Sequence, residues 1–283
     1  MNDNNEPRCI DLLITGCDVV CLDTAGTVVT NGAIAIIGNR IHWIGKADDT
    51  KQMFLPKSRI DASEKIAMPG MIDAHFHTAQ QLLRGKIVAI GRKRQLTNPI
   101  WKSYYLPFES ILDPDDIYLS GLVAYANMIS VGTTCFAEAG GPHPDEMGRA
   151  AHEIGIRGLI ALSTMDQGHG IPETMMLDTD RAYEKNVALV KRWKDGDRVS
   201  ASLALRQLLT CSPELVKGIA QAAKDHDVKI HTHLCEGTYE IDYTIEHYGK
   251  RPAEYLAEIG VLNRHLHCAH SVLLSPKEMD LYV

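Results

Sequence analysis

The sequence lacks several features that would place it in a specialised class of protein. It has no excess of positive charge, because 29 lysines and arginines stand against 36 aspartates and glutamates, giving a formal net charge of −7. This balance disfavours binding to a phosphate backbone, so we expect a small-molecule partner and no nucleic acid. No apolar run approaches the roughly 18 residues of a membrane span, which predicts a protein that does not interact with a membrane.

The cysteines also exclude two classes of site. They are odd in number and contain no Cys-x-x-Cys pair, which argues against both a disulfide framework and a thiolate zinc site. The first eight residues are polar and lack the apolar core of a signal peptide, so we expect reduced cysteines and a cytoplasmic location. The seven cysteines are at positions 9, 17, 21, 135, 211, 235 and 268.

The chain is long and apolar enough to fold around a large core, with 283 residues and 45% hydrophobic content. Residues 8–67 contain short β-rich runs punctuated by glycine, which predicts a small antiparallel unit with a tight hairpin at Gly38 and Asn39. From Ile66 onward, apolar strands alternate with longer helical segments. This alternation is typical of βα units and a parallel sheet.

Six strands are predicted in this second region, and the helices between them begin with recognisable caps. Asp113, Ser212 and Ser275 each precede a proline, and Glu278 completes the pattern of a capping box. The strands are predicted at residues 67–75, 133–138, 158–163, 199–206, 228–233 and 265–270.

Six βα units favour an α/β fold of the TIM-type (β/α)8 barrel class, truncated after about six units, because a full barrel takes about 250 residues. An open, doubly wound six-stranded sheet would also fit the count, but no glycine-rich phosphate fingerprint follows an early strand. We therefore expect residues 1–66 to be the N-terminal part of a β-sandwich domain and residues 67–283 to be a barrel that is incomplete at its C-terminus.

Histidines lie at the ends of several predicted strands. His75 and His77 are separated by one residue, so in a strand their rings share a face and can reach one metal ion. Taken alone, such a pair can equally be two ordinary polar residues. Two more clusters, in residues 229–236 and 265–270, make a shared metal site the better explanation. The strand period does not choose between His231 and His233, or among the histidines at 265, 267 and 270.

An ordered set of motifs extends over most of the chain. It comprises Pro-Gly-Met-Ile-Asp-Ala-His-Phe-His (69–77), Leu-Leu-Arg-Gly (82–85), Gly-Thr-Thr (132–134), Thr-Cys-Ser-Pro-Glu (210–214), His-Leu-Cys-Glu (233–236), Ala-His (269–270) and Leu-Ser-Pro-Lys-Glu (274–278). With these motifs the chain resembles the amidohydrolase superfamily, in the branch that holds S-adenosylhomocysteine deaminase, guanine deaminase, cytosine deaminase and the chlorotriazine hydrolases.

The resemblance implies a role for each matching residue. His75, His77, His233 and His270 match metal-binding positions, and Glu236 matches the acid that shuttles protons. The family also has an aspartate ligand after the eighth strand, and this sequence ends before such a position. Relatives are commonly dimers or larger, so we expect a homo-oligomer.

The resemblance further implies one divalent ion, because the fourth strand (199–206) lacks the lysine with which binuclear relatives bridge two metals. Zinc is the expected metal and ferrous iron the alternative, since both suit histidine ligands. Such an ion lowers the pKa of water toward about 7, and Glu236 would then move protons from the water to the substrate.

Three further residues are candidates for substrate binding. Gln80 and Arg206 match positions that guanine deaminase uses, which favours a guanine- or pterin-like oxo-heterocycle, and Trp101 lies where relatives build a pocket wall. A structural role is about equally compatible with each residue. Gln80 would then be an amide on a helix surface, Arg206 a salt-bridged residue at a strand end, and Trp101 a core aromatic residue.

The sequence leads to three functional hypotheses. The first is a metal-dependent aminohydrolase that deaminates an amino-substituted nitrogen heterocycle. The second keeps the site but releases chloride, as the chlorotriazine hydrolases do. The third is an inactive fragment of such an enzyme, without the final aspartate ligand.

Overall fold

A computed structural model describes residues 6–282, which form two compact units that divide after Gly70. The domain boundary predicted from the sequence lies four residues earlier, after residue 66. Among the described residues, no helix combines the length and the hydrophobicity that a membrane crossing requires. Residues 6–282 contain twelve strands: β1 Arg8–Val20, β2 Val28–Ile37, β3 Arg40–Lys46, β4 Phe54–Asp61, β5 Ile66–Ala67, β6 Met71–Phe76, β7 Thr133–Glu138, β8 Arg157–Ile160, β9 Val199–Ala201, β10 Leu203–Leu205, β11 Ile230–Leu234 and β12 Leu266–His270.

Ten α-helices accompany these strands in the described part of the chain. They are α1 Thr50–Met53, α2 Lys86–Gly91, α3 Leu106–Glu109, α4 Pro114–Ser130, α5 Pro144–Ile154, α6 Thr179–Arg192, α7 Pro213–His226, α8 Thr238–Tyr248, α9 Pro252–Glu258 and α10 Pro276–Asp280.

The N-terminal unit is a single five-stranded sheet in the order β3-β2-β1-β4, with β5 also paired to β1. The predicted hairpin is present: Gly38 adopts a left-handed φ of 57°, and Ile37 pairs with Arg40 across the turn. The prediction of a purely antiparallel unit is wrong, because β4 and β5 both run parallel to β1. The connection through residues 47–53 carries the chain across the sheet before β4 begins, and such a crossover allows parallel pairing. The sandwich stays a prediction.

The second unit contains only parallel strand pairs among its described residues. One sheet has the order β6-β7-β8-β9 and the other β10-β11-β12. Ser202 separates β9 from β10, and there the chain changes partners: the Ser202 amide bonds to Ile160, while the next amide, of Leu203, bonds to Lys229. The α/β class with parallel strands is therefore confirmed, whereas the TIM-type barrel truncated after about six units stays a prediction.

The first strand of this unit begins later than the sequence predicts. Ile66 and Ala67 pair with β1 in the N-terminal sheet, and β6 begins only at Met71. Pro69 lacks the N–H that a continuous strand would donate, and Gly70 follows it, so the expected strand 67–75 is interrupted.

The predicted helix caps are present at the three serine and aspartate positions. Asp113 accepts from the Asp116 amide at 2.9 Å, Ser212 accepts from the amide of Leu215 at 3.1 Å, and Ser275 forms a capping box with Glu278. Between helices and strands lies the main core of the unit, where Tyr125 of α4 stacks on Phe136 of β7 with ring centroids 4.4 Å apart. The helices thus pack against the strands, and polar side chains lie at the strand ends.

Candidate metal centre and active site

Three histidine side chains come together at the carboxyl ends of two parallel strands. His75 and His77 lie at the end of β6, and His233 lies near the end of β11. Each offers one ring nitrogen, and these nitrogens all lie within 4.8 Å of one another. The sequence predicted these three residues as ligands of a common metal, and their spacing is compatible with a single ion.

Hydrogen bonds determine which nitrogen each ring presents. The Nδ1 atom of His233 is 2.7 Å from the carbonyl oxygen of Arg206, so Nδ1–H donates to it and Nε2 carries the free lone pair. This Nε2 is 3.0 Å from Nε2 of His77. The Nδ1 atom of His77 is buried and has no hydrogen-bond partner in the described residues. Both rings therefore direct Nε2 toward the same point.

His231 does not join this group but supports it. Its Nε2 atom is 2.9 Å from Nδ1 of His75, which leaves Nε2 of His75 free for a metal. On its other side, His231 packs edge-on against His267 with ring centroids 4.7 Å apart. The strand period left the choice between His231 and His233 open, and the geometry favours His233, because His233 meets His77 whereas His231 lies behind His75. Such outer partners orient metal-binding imidazoles.

His270 lies beside the three rings without being part of the close group. Its ring centroid is 4.8 Å from that of His75 and 5.4 Å from that of His233, and the side chain is 30% exposed. The residue ends β12 with a left-handed φ of 66°, and Ser271 continues with 52°. Two successive non-glycine residues in this region are uncommon and occur at sites where a side chain must be held in a particular direction.

Burial keeps the clustered imidazoles neutral. It lowers the pKa of His75 to about 4, helped by the neighbouring His270, His267 and Arg206. Burial also lowers the pKa of His77 and of His233 well below the ordinary value, with the Arg206 guanidinium as the next cause. A neutral imidazole is the form that binds a metal, so the electrostatics of the cluster suit a cation.

Glu236, the predicted proton shuttle, follows β11 and faces the cluster. Its Oε1 atom is 3.9 Å from Nε2 of His270. Its Oε2 atom accepts hydrogen bonds from Gln207 Nε2 at 2.5 Å and from Tyr239 Oη at 3.0 Å. The backbone amide of Glu236 donates to Oε2 of Glu240 at 3.3 Å, and burial raises the pKa of Glu240 to about 8. The carboxylate therefore has one anchored oxygen and one that faces the histidines.

Arg206 and Gln80, both predicted to bind substrate, converge instead on a residue that the sequence did not single out. Arg206 Nη1 lies 3.1 Å from Oε2 of Glu109, and Gln80 Nε2 donates to Oε1 of the same carboxylate at 2.7 Å. The guanidinium also reaches the carbonyl of Gly140 and the hydroxyl of Ser163, each at 3.4 Å. In this structure, then, Arg206 has the salt-bridged arrangement that was one of its two expected roles.

Trp101, the predicted pocket wall, is largely core. It is 6% exposed and packs with Leu106, Met165 and Met175. Its indole Nε1 donates to Tyr239 Oη at 2.9 Å, so Trp101 connects indirectly to Glu236.

Sequence reasoning missed a second buried carboxylate. Glu138 ends β7, and its Oε2 atom accepts from both the amide and the hydroxyl of Thr78, the residue after His77. Its other oxygen has no partner in the part of the chain that is described, and burial raises the pKa of Glu138 to about 7. An acid at the end of a parallel strand was the available signal for this residue. Glu109, Gln207 and Tyr239 carried no comparable signal, because they lie in a short helix, a loop and a helix.

Comparison with known proteins identifies related sequences and structures. Residues 66–282 match the amidohydrolase family. The 5-methylthioadenosine/S-adenosylhomocysteine deaminase of Moorella thermoacetica is 30% identical over 272 residues, which cover 95% of this chain and 60% of that protein. This chain therefore spans less than two thirds of the length of that relative.

Two solved structures are similar over nearly the whole chain. A zinc-bound adenosine deaminase from Xanthomonas campestris superposes with a TM-score of 0.87 and 25% identity, covering 97% of this chain and 61% of that one. The zinc complex of atrazine chlorohydrolase from Arthrobacter aurescens TC1 gives a TM-score of 0.85 at 24% identity, covering 96% and 63% of the respective chains. The second similarity concerns the fold alone.

Proposed function

The chain belongs to the amidohydrolase family, and on that premise we propose that it provides the metal centre of a hydrolase that removes the amino group from the purine ring of an adenosine-like nucleoside. One observation supports this most strongly: the ring nitrogens of His75, His77 and His233 lie within 4.8 Å of one another. Beside them lies the carboxylate of Glu236, whose Oε1 atom does not take part in the hydrogen bonds that hold Oε2. Deamination of an aromatic ring needs an activated water and a group that moves protons, and this arrangement offers both.

The donor set suits a divalent ion. Three neutral imidazoles with an additional histidine nearby are the ligands that zinc accepts, and an open position for water distinguishes catalytic from structural sites. His75, His77 and His233 would hold the ion, with His270 as the fourth candidate. We propose zinc, with ferrous iron as the alternative. When bound, such an ion supplies water activation at neutral pH.

Glu236 would move the protons. Its Oε1 atom would accept a proton from the attacking water and deliver it to the ring nitrogen next to the reacting carbon, which lets the carbon become tetrahedral. A second transfer would move the remaining hydroxyl proton on the tetrahedral carbon through Glu236 to the amino group. The carbon–nitrogen bond would then break as the C=O bond forms, giving the oxo compound and ammonia. One carboxyl group can perform both transfers only if it stays within hydrogen-bond reach of each atom.

The substrate assignment rests on the relatives and on the state of Arg206. The named relatives act on 5-methylthioadenosine, S-adenosylhomocysteine or adenosine, which favours an adenosine-like substrate. The guanine- or pterin-like preference required Arg206 and Gln80 to bind a ring carbonyl. Gln80 Nε2 and the Arg206 guanidinium are both engaged with Glu109, and this pairing does not support that preference. We retain the oxo-heterocycle as the second candidate, and Trp101 as a candidate wall against which a base would lie.

Substrate turnover with metal analysis tests the proposal. The purified protein, loaded with zinc, is incubated with adenosine, 5-methylthioadenosine, S-adenosylhomocysteine, guanine, a pterin and a chlorotriazine, and ammonia and chloride are measured. We expect ammonia release from the adenosine group, and E236Q should lower the rate by about 10²–10⁴-fold, the usual contribution of proton transfer. The exposed His152 offers a matched control, since H152Q should leave the rate unchanged.

Each other outcome has a definite meaning. Ammonia from guanine or the pterin alone would favour the oxo-heterocycle, and chloride without ammonia would favour a chlorotriazine hydrolase. Stoichiometric zinc with no turnover of any compound would show that the proposed activity is wrong for this chain.

A further inference from the structure

The two oxygens of Glu236 lie in different surroundings. Oε2 receives two hydrogen bonds, from Gln207 Nε2 and from Tyr239 Oη. Oε1 has neither, and His270 Nε2 lies 3.9 Å from it. A carboxylate with both donors on one oxygen is restricted in rotation about its terminal bond, because turning it would break both bonds at once.

The hydrogen positions in this network follow from chemistry. An indole N–H can only donate, so Tyr239 Oη must accept the bond from Trp101 Nε1 at 2.9 Å. The hydroxyl hydrogen of Tyr239 is then free to point at Oε2 of Glu236, 3.0 Å away. A carboxylate can only accept, so the atom of Gln207 that faces Glu236 must be the amide nitrogen. The direction of donation therefore runs from Trp101 through Tyr239 to Glu236.

The two donors are held independently of Glu236. Gln207 follows β10, is 2% exposed, and has its backbone amide and carbonyl bonded to the hydroxyl of Thr210 at 3.2 and 3.0 Å. Tyr239 lies in the first turn of α8, on the other side of the carboxylate in sequence. Donors that are fixed by separate elements form a rigid frame, and such a frame costs no reorganisation when the reaction begins.

We propose that Gln207 and Tyr239 are positioning residues that anchor Oε2 of Glu236 so that Oε1 alone carries protons between water and substrate. This inference rests on the proposed function for its catalytic meaning. In the transfer, the O–H bond of water breaks as an O–H bond forms at Oε1. That bond then breaks as the ring nitrogen gains the proton, so the carboxylate is regenerated while Oε2 keeps both hydrogen bonds. Trp101 belongs to the same network because it fixes the direction of the Tyr239 hydroxyl.

The first test separates rate from binding. Y239F and Q207L should each lower kcat by about tenfold, the factor that corresponds to one hydrogen bond to a charged group, while KM changes by less than about twofold. W101F keeps an aromatic ring but removes the N–H donor, and we expect a smaller loss of kcat in the same direction. If Q207L disturbs folding, as judged by circular dichroism, then Y239F and W101F still decide the question.

A matched control lies one turn further along the same helix. Tyr243 is also half-buried and accepts a hydrogen bond from Gln167 at 3.0 Å, but within the described part of the chain it makes none to Glu236. Y243F should therefore leave kcat unchanged. In addition, Y239F introduced into an E236Q background should change kcat by less than about twofold, since an amide cannot carry the protons whether or not its oxygen is anchored. An equal effect of Y239F in both backgrounds would overturn the proposal.

A second readout does not depend on turnover. In crystal structures of the zinc-loaded Y239F and Q207L proteins, the Glu236 carboxylate should occupy more than one rotamer or turn away from His270. A single unchanged position in both variants would overturn the anchoring role. If the parent protein deaminates none of the substrates, the proposed function fails, and these structures still decide whether Gln207 and Tyr239 fix the carboxylate.

Discussion

Arg206 and Glu109 form an ion pair that is almost completely withdrawn from water, with 3.1 Å between Nη1 and Oε2 and side chains that are 3% and 1% exposed. The pair joins the segment after β10 to the end of α3, and Gln80 adds a third polar group. A buried charge is tolerated only where a partner and further hydrogen bonds compensate for lost hydration. Together with Gln80, the pair therefore links three segments that are distant in sequence.

Removing one partner of this pair should destabilise the protein strongly. We expect E109A to lower the free energy of unfolding by about 3–5 kcal/mol, because it leaves the Arg206 guanidinium buried without its counter-charge. Urea denaturation provides the measurement. The control is E146A, which breaks the partly exposed pair with Arg149 and should cost at most about 1 kcal/mol. Equal costs for the two variants would contradict this prediction.

Metal binding should depend unequally on the histidines. H77A should weaken zinc binding by more than the roughly 10–100-fold that is typical of losing an outer partner, whereas H231F should fall within that range. Competition with a chromophoric chelator measures both affinities.

Removing zinc from the parent protein should also lower its free energy of unfolding. The expected loss is about 2.7 kcal/mol, relative to a solution in which the free zinc concentration is 100 times the dissociation constant. A parent protein whose unfolding is unaffected by chelation would count against a metal centre.

The metal-free protein should lose stability in mild acid. The pKa of His75 is about 4 in the folded protein against an ordinary 6.5, so below about pH 6.5 the unfolded chain binds a proton that the folded chain refuses. The free energy of unfolding should therefore fall as the pH drops from about 6.5 to about 4. H75Q should show a shallower fall in urea denaturation. The same slope in both proteins would show that His75 does not contribute.

Glu138 should have the opposite effect on the pH dependence of stability, because its contribution to the free energy of unfolding falls as the pH rises. Burial raises its pKa to about 7 from an ordinary 4.5, so the stability that its protonated form contributes is present below about pH 4.5 and is lost as the pH rises through about 7. E138Q keeps an oxygen that can accept from Thr78 but cannot ionise. Its stability relative to the parent should therefore improve between about pH 5 and about pH 8, as thermal unfolding would reveal. A difference that is constant with pH would argue that Glu138 is ionised throughout.

The sequence predicted those features that depend on local chemistry. The caps at Asp113, Ser212 and Ser275 and the hairpin at Gly38 follow from hydrogen bonds and backbone preferences within a few residues. The parallel strands follow from apolar runs of strand length. By contrast, no clear sequence pattern marks β4, because Pro56 and several charged residues obscure its alternation, and it forms at the edge of the sheet, where such residues are tolerated.

The contacts of the site could not be read from the sequence in the same way. Glu109 is 97 positions from Arg206 and Trp101 is 138 positions from Tyr239, so nothing local indicates either pairing. His231 and His233 share a face of β11, and only the folded chain shows that His233 contacts Nε2 of His77 whereas His231 contacts Nδ1 of His75. Motif resemblance predicts which residues belong to the site, whereas their hydrogen-bond partners required the folded chain.

The hydrogen bond between Trp101 and Tyr239 also gives the protein a built-in optical probe. The emission wavelength of an indole responds to the groups at its N–H, and the sequence contains three tryptophans. Trp43 lies in the N-terminal sheet and Trp193 follows α6, so replacing these two with phenylalanine would isolate the signal of Trp101. Ligand titrations and rapid mixing could then follow events beside Glu236 without an attached dye.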